Sequence, residues 1–163
     1  MAKIATSYMG ENIRFDLYQG SFSDIEYSKV NQVYGIISNS QSQLLLVFQT
    51  SNIFLLPGGQ IETGETYLET LNREAYEEAA VTLIPDSIKE AFYQEAWKLK
   101  DGQWELDCIQ LRYSAKVDRV DNWSIDGDLT KQGSIVGQKW VAKSELDNYL
   151  KWGESNEIIK KFF

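Results

Sequence analysis

Three glutamates dominate the chemistry this chain can offer. Glu74, Glu77 and Glu78 stand at relative positions i, i+3 and i+4 in the stretch REAYEEAAV, residues 73–81. On a helix those spacings gather the carboxylates on one face, with only Arg73 beside them. Like charges so placed cost a few tenths of a kcal/mol each on an isolated helix, and a bound cation would relieve the repulsion. Hard divalent cations such as Mg²⁺ take oxygen ligands, usually one or two carboxylates completed by water and phosphate oxygens. The competing reading is a solvated acidic face, the usual fate of surface glutamates. The 163 residues include no histidine, which excludes Ser-His and Cys-His nucleophiles, His-ligated zinc and an imidazole base. Acid-base and metal chemistry therefore falls to carboxylates, with Lys or Tyr in support. The lone Cys108 excludes an intramolecular disulfide and a multi-cysteine zinc site, and within WELDCIQLRY it reads as a packed strand residue.

Positioning such a site takes a helix and a sheet to hold it. VYGIIS (33–38) and QLLLVFQ (43–49), separated by the polar run NSQS, read as a hairpin, and NIFLL (52–56) as a third short strand. Pro57, Gly58 and Gly59 break the pattern and predict the start of a loop. From Thr66 to about Ala79 the period becomes helical, with Leu68, Leu71, Ala75 and Ala79 on one side and the three glutamates on the adjoining side. IKEAFYQEAWKLK and WELDCIQLRYSAKV predict two long strands around a tight turn at Asp101 and Gly102. Residues 118–136 are polar and aperiodic and read as a long loop; GQKWVA reads as a last strand. Ser144 and Ser155 are placed to N-cap two terminal helices, ELDNYLKW and NEIIKKFF. In the first thirty residues FDLYQG is the one candidate strand.

Length and composition predict one domain over 1–163, since 43% hydrophobic residues suffice for a real core. Sixteen Lys and Arg against twenty-four Asp and Glu give a net charge of -8. That charge argues against a nucleic-acid polymer or an anionic membrane surface as partner. A small phosphorylated ligand can still bind through a cation. MAKIATSYMGENIRF carries no long apolar segment of the signal-sequence kind, and the expectation is a cytoplasmic protein.

Counted from Gly59, the chain runs five residues to Glu65, seven more, then Arg73-Glu74-Ala75-Tyr76-Glu77-Glu78-Ala79-Ala80-Val81. This resembles the signature of the Nudix (MutT-like) hydrolases: Gly, five residues, Glu, seven residues, Arg-Glu, an apolar residue, any residue, Glu-Glu, any residue, Gly, an apolar residue. Six of its seven fixed positions match, as do both apolar ones. At residue frequencies of roughly 5 to 7%, six such matches arise by chance about once in 10⁵ chains of this length. Around the box, VYGIISNSQSQLLLVFQTSNIFLLPGGQIETGET and KWVAKSEL also look like the family, so residues 30–152 carry the resemblance.

The resemblance implies an α/β fold, an α/β/α sandwich around a mixed β-sheet with a loop-helix-loop catalytic motif. It implies a pyrophosphohydrolase that splits the phosphoanhydride of a nucleoside diphosphate linked to another group, a nucleoside triphosphate most generically. Mg²⁺ or Mn²⁺ would be held by Glu74, Glu77 and Glu78, one of which acts as base in some members, with the Gly58 carbonyl joining the metal shell. Gly59, Glu65 and Arg73 would support the site, the last two as a pair fixing loop to helix. A homodimer is compatible with this reading.

Two departures mark the chain. Ala80 stands where the pattern has Gly, at a position where a left-handed conformation costs an L-residue about 1 to 2 kcal/mol. The run LTKQGSIVGQKWVAKS (129–144) lacks the carboxylate that many members carry there. Asp126, Asp128, Glu105 and Asp107 are the candidates to replace it. Without a replacement the reading becomes a non-catalytic nucleotide-binding module, or an interaction domain whose acidic face is merely solvated. Tyr93, Trp97, Trp104 and Trp123 are aromatics able to stack on a base, with core packing the ordinary role of a strand Trp. The subfamily markers for ADP-ribose, dinucleoside polyphosphate and NADH hydrolases are missing.

Overall fold

Apolar runs with no polar alternation become strands buried on both faces. The computed structural model describes residues 2–124 and 134–163. Its strands are β1 (Ala2–Met9), β2 (Ile13–Gln19), β3 (Val30–Ser38), β4 (Leu44–Gln49), β5 (Phe54–Leu55), β6 (Gly58–Gln60), β7 (Val81–Leu83), β8 (Lys89–Lys100), β9 (Gln103–Val120) and β10 (Ile135–Val141). They join in the order β1-β2-β8-β9-β3-β4-β10, with β5 on β4, β6 on β3 and β7 on β9. β3 and β9 run parallel and the other described pairs antiparallel, so the sheet is mixed. The helices are α1 (Tyr67–Ala79), α2 (Leu146–Tyr149) and α3 (Ser155–Ile159).

Strand periodicity of two sorts the core into two layers. Val33, Ile37, Leu45, Val47, Ile109 and Leu111 face Leu71, Ala75 and Ala79 of α1. Their neighbours Ile36, Leu44 and Leu46 face the other way, toward Leu146 of α2, Leu150, and Ile158 and Ile159 of α3. Each fully buried Leu or Ile contributes roughly 1.5 to 3 kcal/mol. The result is the α/β/α sandwich expected from the sequence. No described helix is long and apolar enough to cross a membrane.

Local differences from the expectation have identifiable causes. The turn at Asp101 and Gly102, both at positive φ, and the two long strands beside it are found as expected. The expected loop at Pro57 is instead a strand, β6, with Gly58 opposite Tyr34 and Gly59 opposite Val33. Only glycine permits it, because a Cβ on Gly58 would fall 2.3 Å from the Val33 carbonyl oxygen. Just upstream, the Pro57 carbonyl accepts the Gly35 N–H at 2.8 Å. The third strand shrinks to Phe54–Leu55. At the other side of the expected long loop, β9 continues to Val120 because β7 pairs with it, and β10 begins at Ile135. Asp126 and Asp128 lie outside the described residues. Neither Ser144 nor Ser155 caps a helix: Ser144 sits inside a 3-10 turn and Ser155 is the first residue of α3. Asn156 ties these short helices instead, donating to Asp147 Oδ1 and to the Leu150 carbonyl. β2 contains the expected FDLYQ, whereas β1 was not foreseen, since it is an edge strand exposed along nearly its whole length and shows no alternation.

Candidate metal and active site

Helix α1 starts where the sequence says it should. Thr66 Oγ1 accepts the Glu69 N–H at 3.2 Å and the Glu69 carboxylate accepts the Thr66 N–H at 2.7 Å, a reciprocal capping box. Burial of Thr70, Leu71, Ala75 and Ala79 fixes the rotation of the helix about its axis. Leu68, expected on the packed side, is 44% exposed, displaced by the polar Thr70 that Glu65 engages. With the helix so oriented, Glu74 and Glu78 point at the Gly58–Gly59 strand and Glu77 lies farther out; the side chain of Glu74 is 13% exposed against 59% for Glu77.

Arg73 organises this face. Its Nε and Nη2 donate to the two oxygens of Glu65 at 2.6 and 3.0 Å, while Nη1 donates to Glu74 Oε1 at 2.9 Å and Glu77 Oε2 at 3.2 Å. Nη2 also reaches the Gln60 carbonyl at 2.9 Å, which pins β6 to the helix. Glu65 further accepts the Glu62 N–H and the Thr70 hydroxyl. These bonds, the Arg73 one foremost, hold the Glu65 carboxyl down at about 2 and push the Arg73 guanidinium up. The Glu65–Arg73 pairing inferred from the resemblance is thus present.

Glu78 is in the opposite situation. Burial drives its carboxyl up to about 8, and the charges of Glu74 and Glu77 add to that. The Gly58 N–H, donated to Oε2 at 2.9 Å, and Arg73 oppose it. Burial likewise raises Glu74, against the opposing pull of Arg73. Gly59 makes room for Glu74, since a Cβ there would sit 2.5 Å from Glu74 Oε1.

Among the described residues no three acidic side chains converge on one point as a ready metal cluster. The reason is local: Glu74 and Glu77 turn to Arg73 while Glu78 turns to the Gly58 amide. The donor set nevertheless fits a hard divalent cation. It offers only oxygens, two of the carboxylates lie against a cradle that no side chain fills, and their ionisation is held back first by burial and then by neighbouring carboxylate charge.

Ala80 takes the left-handed conformation that the missing glycine would have taken, at φ 51° and ψ 38°. Its N–H closes the helix onto the Tyr76 carbonyl and its own carbonyl accepts the Asp121 N–H at 2.8 Å. Trp123 adds its indole N–H to the Glu77 carbonyl at 3.2 Å, and the Tyr76 hydroxyl donates to Asp121 at 3.3 Å. Trp123 therefore belongs to the helix exit. Asp121 was not foreseen as a neighbour of this helix, because nothing local in the sequence reveals that β9 returns beside the end of α1.

The other candidates lie elsewhere. Glu105 and Asp107 flank the β8–β9 turn and pair with Lys100 and Lys98 at 3.0 Å. Trp97 and Trp104 each lie 5.0 Å from the Arg14 guanidinium and clamp it. Tyr93 is buried and stacks on Tyr18. Cys108 is buried on β9, as its pattern suggested.

Comparison with known proteins places this geometry. The NUDIX domain family model matches residues 29–162. No curated protein sequence matches the chain. Among solved structures, the MutT protein studied in Aliivibrio salmonicida and Vibrio cholerae is 20% identical with TM-score 0.55, over 83% of this chain and 96% of that one. A mutant of the Bacillus subtilis pyrophosphohydrolase BsRppH is 17% identical with TM-score 0.62, over 86% and 77%. A C. elegans Ap4A hydrolase in a binary complex is 16% identical with TM-score 0.52, over 80% and 94%.

Proposed function

The chain belongs to the NUDIX family of hydrolases, and from that premise we propose that it hydrolyses a phosphoanhydride in a nucleoside diphosphate linked to another group, a nucleoside triphosphate being the simplest case. The observation that carries the reading is Glu78, a carboxyl pushed to about 8 beside two further glutamates and the Gly58 amide. Such a displaced carboxyl in a crowded acidic site is a functional candidate rather than an ordinary surface acid.

In this reading Glu74, Glu77, Glu78 and the Gly58 carbonyl hold Mg²⁺ or Mn²⁺. A divalent ion in such a site neutralises phosphate oxygens and lowers the pKa of a bound water. The Gly58 N–H fixes one Glu78 oxygen and leaves the other available as ligand or base. Glu65 keeps Arg73, and through it Gln60 and β6, locked to the helix. Gly59 keeps Glu74 close to the strand. The net charge of -8 favours a small nucleotide held through a cation over a nucleic-acid polymer.

One observation supports a second reading, a nucleotide-binding module without turnover. Asp121, the described acid at the exit of α1, is bonded to Arg119 at 2.7 and 3.0 Å and is no free base. The deciding experiment incubates the protein with Mg²⁺ or Mn²⁺ and a panel of nucleotides, beside Glu77→Gln and Glu78→Gln. Turnover that disappears in both variants supports the hydrolase. Metal-dependent binding without turnover supports the module, and neither binding nor turnover rejects both.

A further inference from the structure

Three lysines that no carboxylate satisfies share one hollow. Acidic residues outnumber basic ones twenty-four to sixteen in this chain, yet Lys89, Lys116 and Lys161 make no ion pair and no side-chain hydrogen bond among the described residues. They come from β8, from β9 and from the segment after α3, and with Ser38, Ser87 and Ser114 they line a hollow of about 550 Å³. Asp86 is the one acid in that lining among the described residues.

Strand register brings the first two together. Lys89 pairs with Ser114 across β8 and β9, and Ser38 pairs with Lys116 across β3 and β9. Residues two apart on a strand share a face, so Lys89 and Lys116 are diagonal neighbours, about 7 to 8 Å apart at the backbone. The third lysine is carried in by its aromatic neighbours. The Phe162 ring lies 6.0 Å from that of Phe92, and the Lys143 ammonium lies 5.3 Å from the Phe163 ring, which fixes the segment that bears Lys161. Like charges gathered in this way repel one another, and an anion carrying several charges would relieve them.

Hydroxyls complete the donor set. Ser38 is 6% exposed and its hydroxyl has no bond among the described residues. Ser87 shapes the wall instead, donating to the Ile84 carbonyl at 2.7 Å and accepting the Lys116 N–H at 2.8 Å. The hollow is separate from the glutamates. Ser38 follows Ile37, which faces α1, and so points to the opposite side of the sheet. Tyr34, the partner of Gly58, lies four residues back along β3, about 13 Å away. The same interval on β9 separates Lys116 from Arg112, which lines another cavity with Gln94 and Gln110.

We propose that this hollow is a second anion site, independent of metal, that takes a compact oligophosphate: inorganic pyrophosphate or tripolyphosphate, or the phosphate tail of a nucleotide. Lysine binds phosphate as a point charge, and three ammoniums from three elements match an anion whose charge is spread over several oxygens. The occupant is small. A net charge of -8 repels any polyanion that extends beyond the hollow, and Asp86 at its lining works against excess negative charge there. The inference goes beyond the hydrolase reading and does not rest on it, since the two sites share no residue.

The test is calorimetric titration of metal-stripped, desalted protein with orthophosphate, pyrophosphate, tripolyphosphate and ATP at low salt. Pyrophosphate and tripolyphosphate are expected to bind saturably, at least about fivefold more tightly than orthophosphate, and to weaken as salt rises. Lys89→Gln combined with Lys116→Gln is expected to cost both at least about tenfold, the range of two partly exposed charge contacts. Both positions are exposed, so the variant should fold, and Lys89→Arg combined with Lys116→Arg should keep the affinity because it keeps the charge. ATP that weakens in the glutamine variant supports a nucleotide tail as the occupant, and ATP that does not weaken, beside inorganic anions that do, supports the free oligophosphate. No saturable binding of the inorganic anions, affinities unchanged by the glutamine pair, or an equal loss with the arginine pair would overturn the proposal. Oligophosphate binding without turnover in the nucleotide panel would sink the hydrolase reading alone, and turnover without oligophosphate binding here would sink this one alone.

Discussion

Replacing Glu78 by Gln should change how the stability of the fold depends on pH. An ordinary glutamate carboxyl titrates at 4.5, and burial lifts that of Glu78 to about 8 in the folded protein. Between those values the folded state holds a proton that the unfolded chain has released. Stability must therefore fall as pH rises through that window and level off above it. One pH unit of difference corresponds to about 1.4 kcal/mol, so the full effect is on the order of 5 kcal/mol. Glu74 is shifted the same way and adds to the slope. Glu65, held down at about 2, acts in another window: its contribution is complete above the ordinary carboxyl value and is lost as pH falls toward 2.

Glutamine is nearly isosteric and can still accept the Gly58 N–H, so the variant should fold. Urea unfolding followed by tryptophan fluorescence in EDTA, from about pH 5 to about pH 9, measures both proteins. The unaltered protein should lose a few kcal/mol across that range and Glu78→Gln markedly less. Mg²⁺ should restore much of the loss at high pH in the unaltered protein, because a cation that favours the ionised carboxylate offsets its burial. Parallel pH profiles for the two proteins would refute the reasoning, since the buried carboxyl would then not be the group that titrates.

Two backbone predictions follow from the same geometry. Ala80→Gly relieves a left-handed alanine but removes a buried methyl and loosens the unfolded chain, so stability should change by less than about 1 kcal/mol. Ala80→Val puts a branched side chain in that conformation and should cost more than about 2 kcal/mol by thermal or urea unfolding. Gly58→Ala and Gly59→Ala should differ in kind. The first collides with the Val33 carbonyl and the Tyr34 backbone and should lower the melting temperature sharply, whereas the second collides with the Glu74 carboxylate and should mainly weaken Mn²⁺ binding measured by calorimetry.

What the sequence made legible was local. The Leu71-Ala75-Ala79 stripe and the Asp101-Gly102 turn depend on residues at most eight positions apart and appear where spacing put them, and the Glu65–Arg73 pair appears as the resemblance implied. What it hid was long-range. β6 exists because two glycines can lie against Val33 and Tyr34, a relation across more than twenty residues that reads locally as a loop. β1 borrows its pairing from β2 and has no pattern of its own. Arg112 looks like one more charge on a strand until parallel pairing sets it beside Tyr34, and Gln94 and Gln110 look solvated until β8 and β9 face them into one cavity.

The crowding on α1 also explains why Arg73 is bonded as it is. Glu65, Glu74 and Glu77 bring three carboxylates to one guanidinium, and Glu78 lies near enough to feel its charge. A single positive charge cannot neutralise such a set, and the burial that raises Glu74 and Glu78 leaves a divalent ion much to gain there. Binding one through the glutamates, as proposed above, would require Arg73 to release Glu74 and Glu77 without losing its hold on the loop. Its bonds are divided accordingly: Glu65 and Gln60 engage Nε and Nη2, while Glu74 and Glu77 share Nη1 alone. Exchange of the two Nη1 contacts for a cation would free both carboxylates and leave the bidentate anchor intact. In the proposed metal site Arg73 would be a placeholder for the metal on one side, and it is a rivet for the loop on the other, which is why lysine, with one point of charge, could do only half of its work.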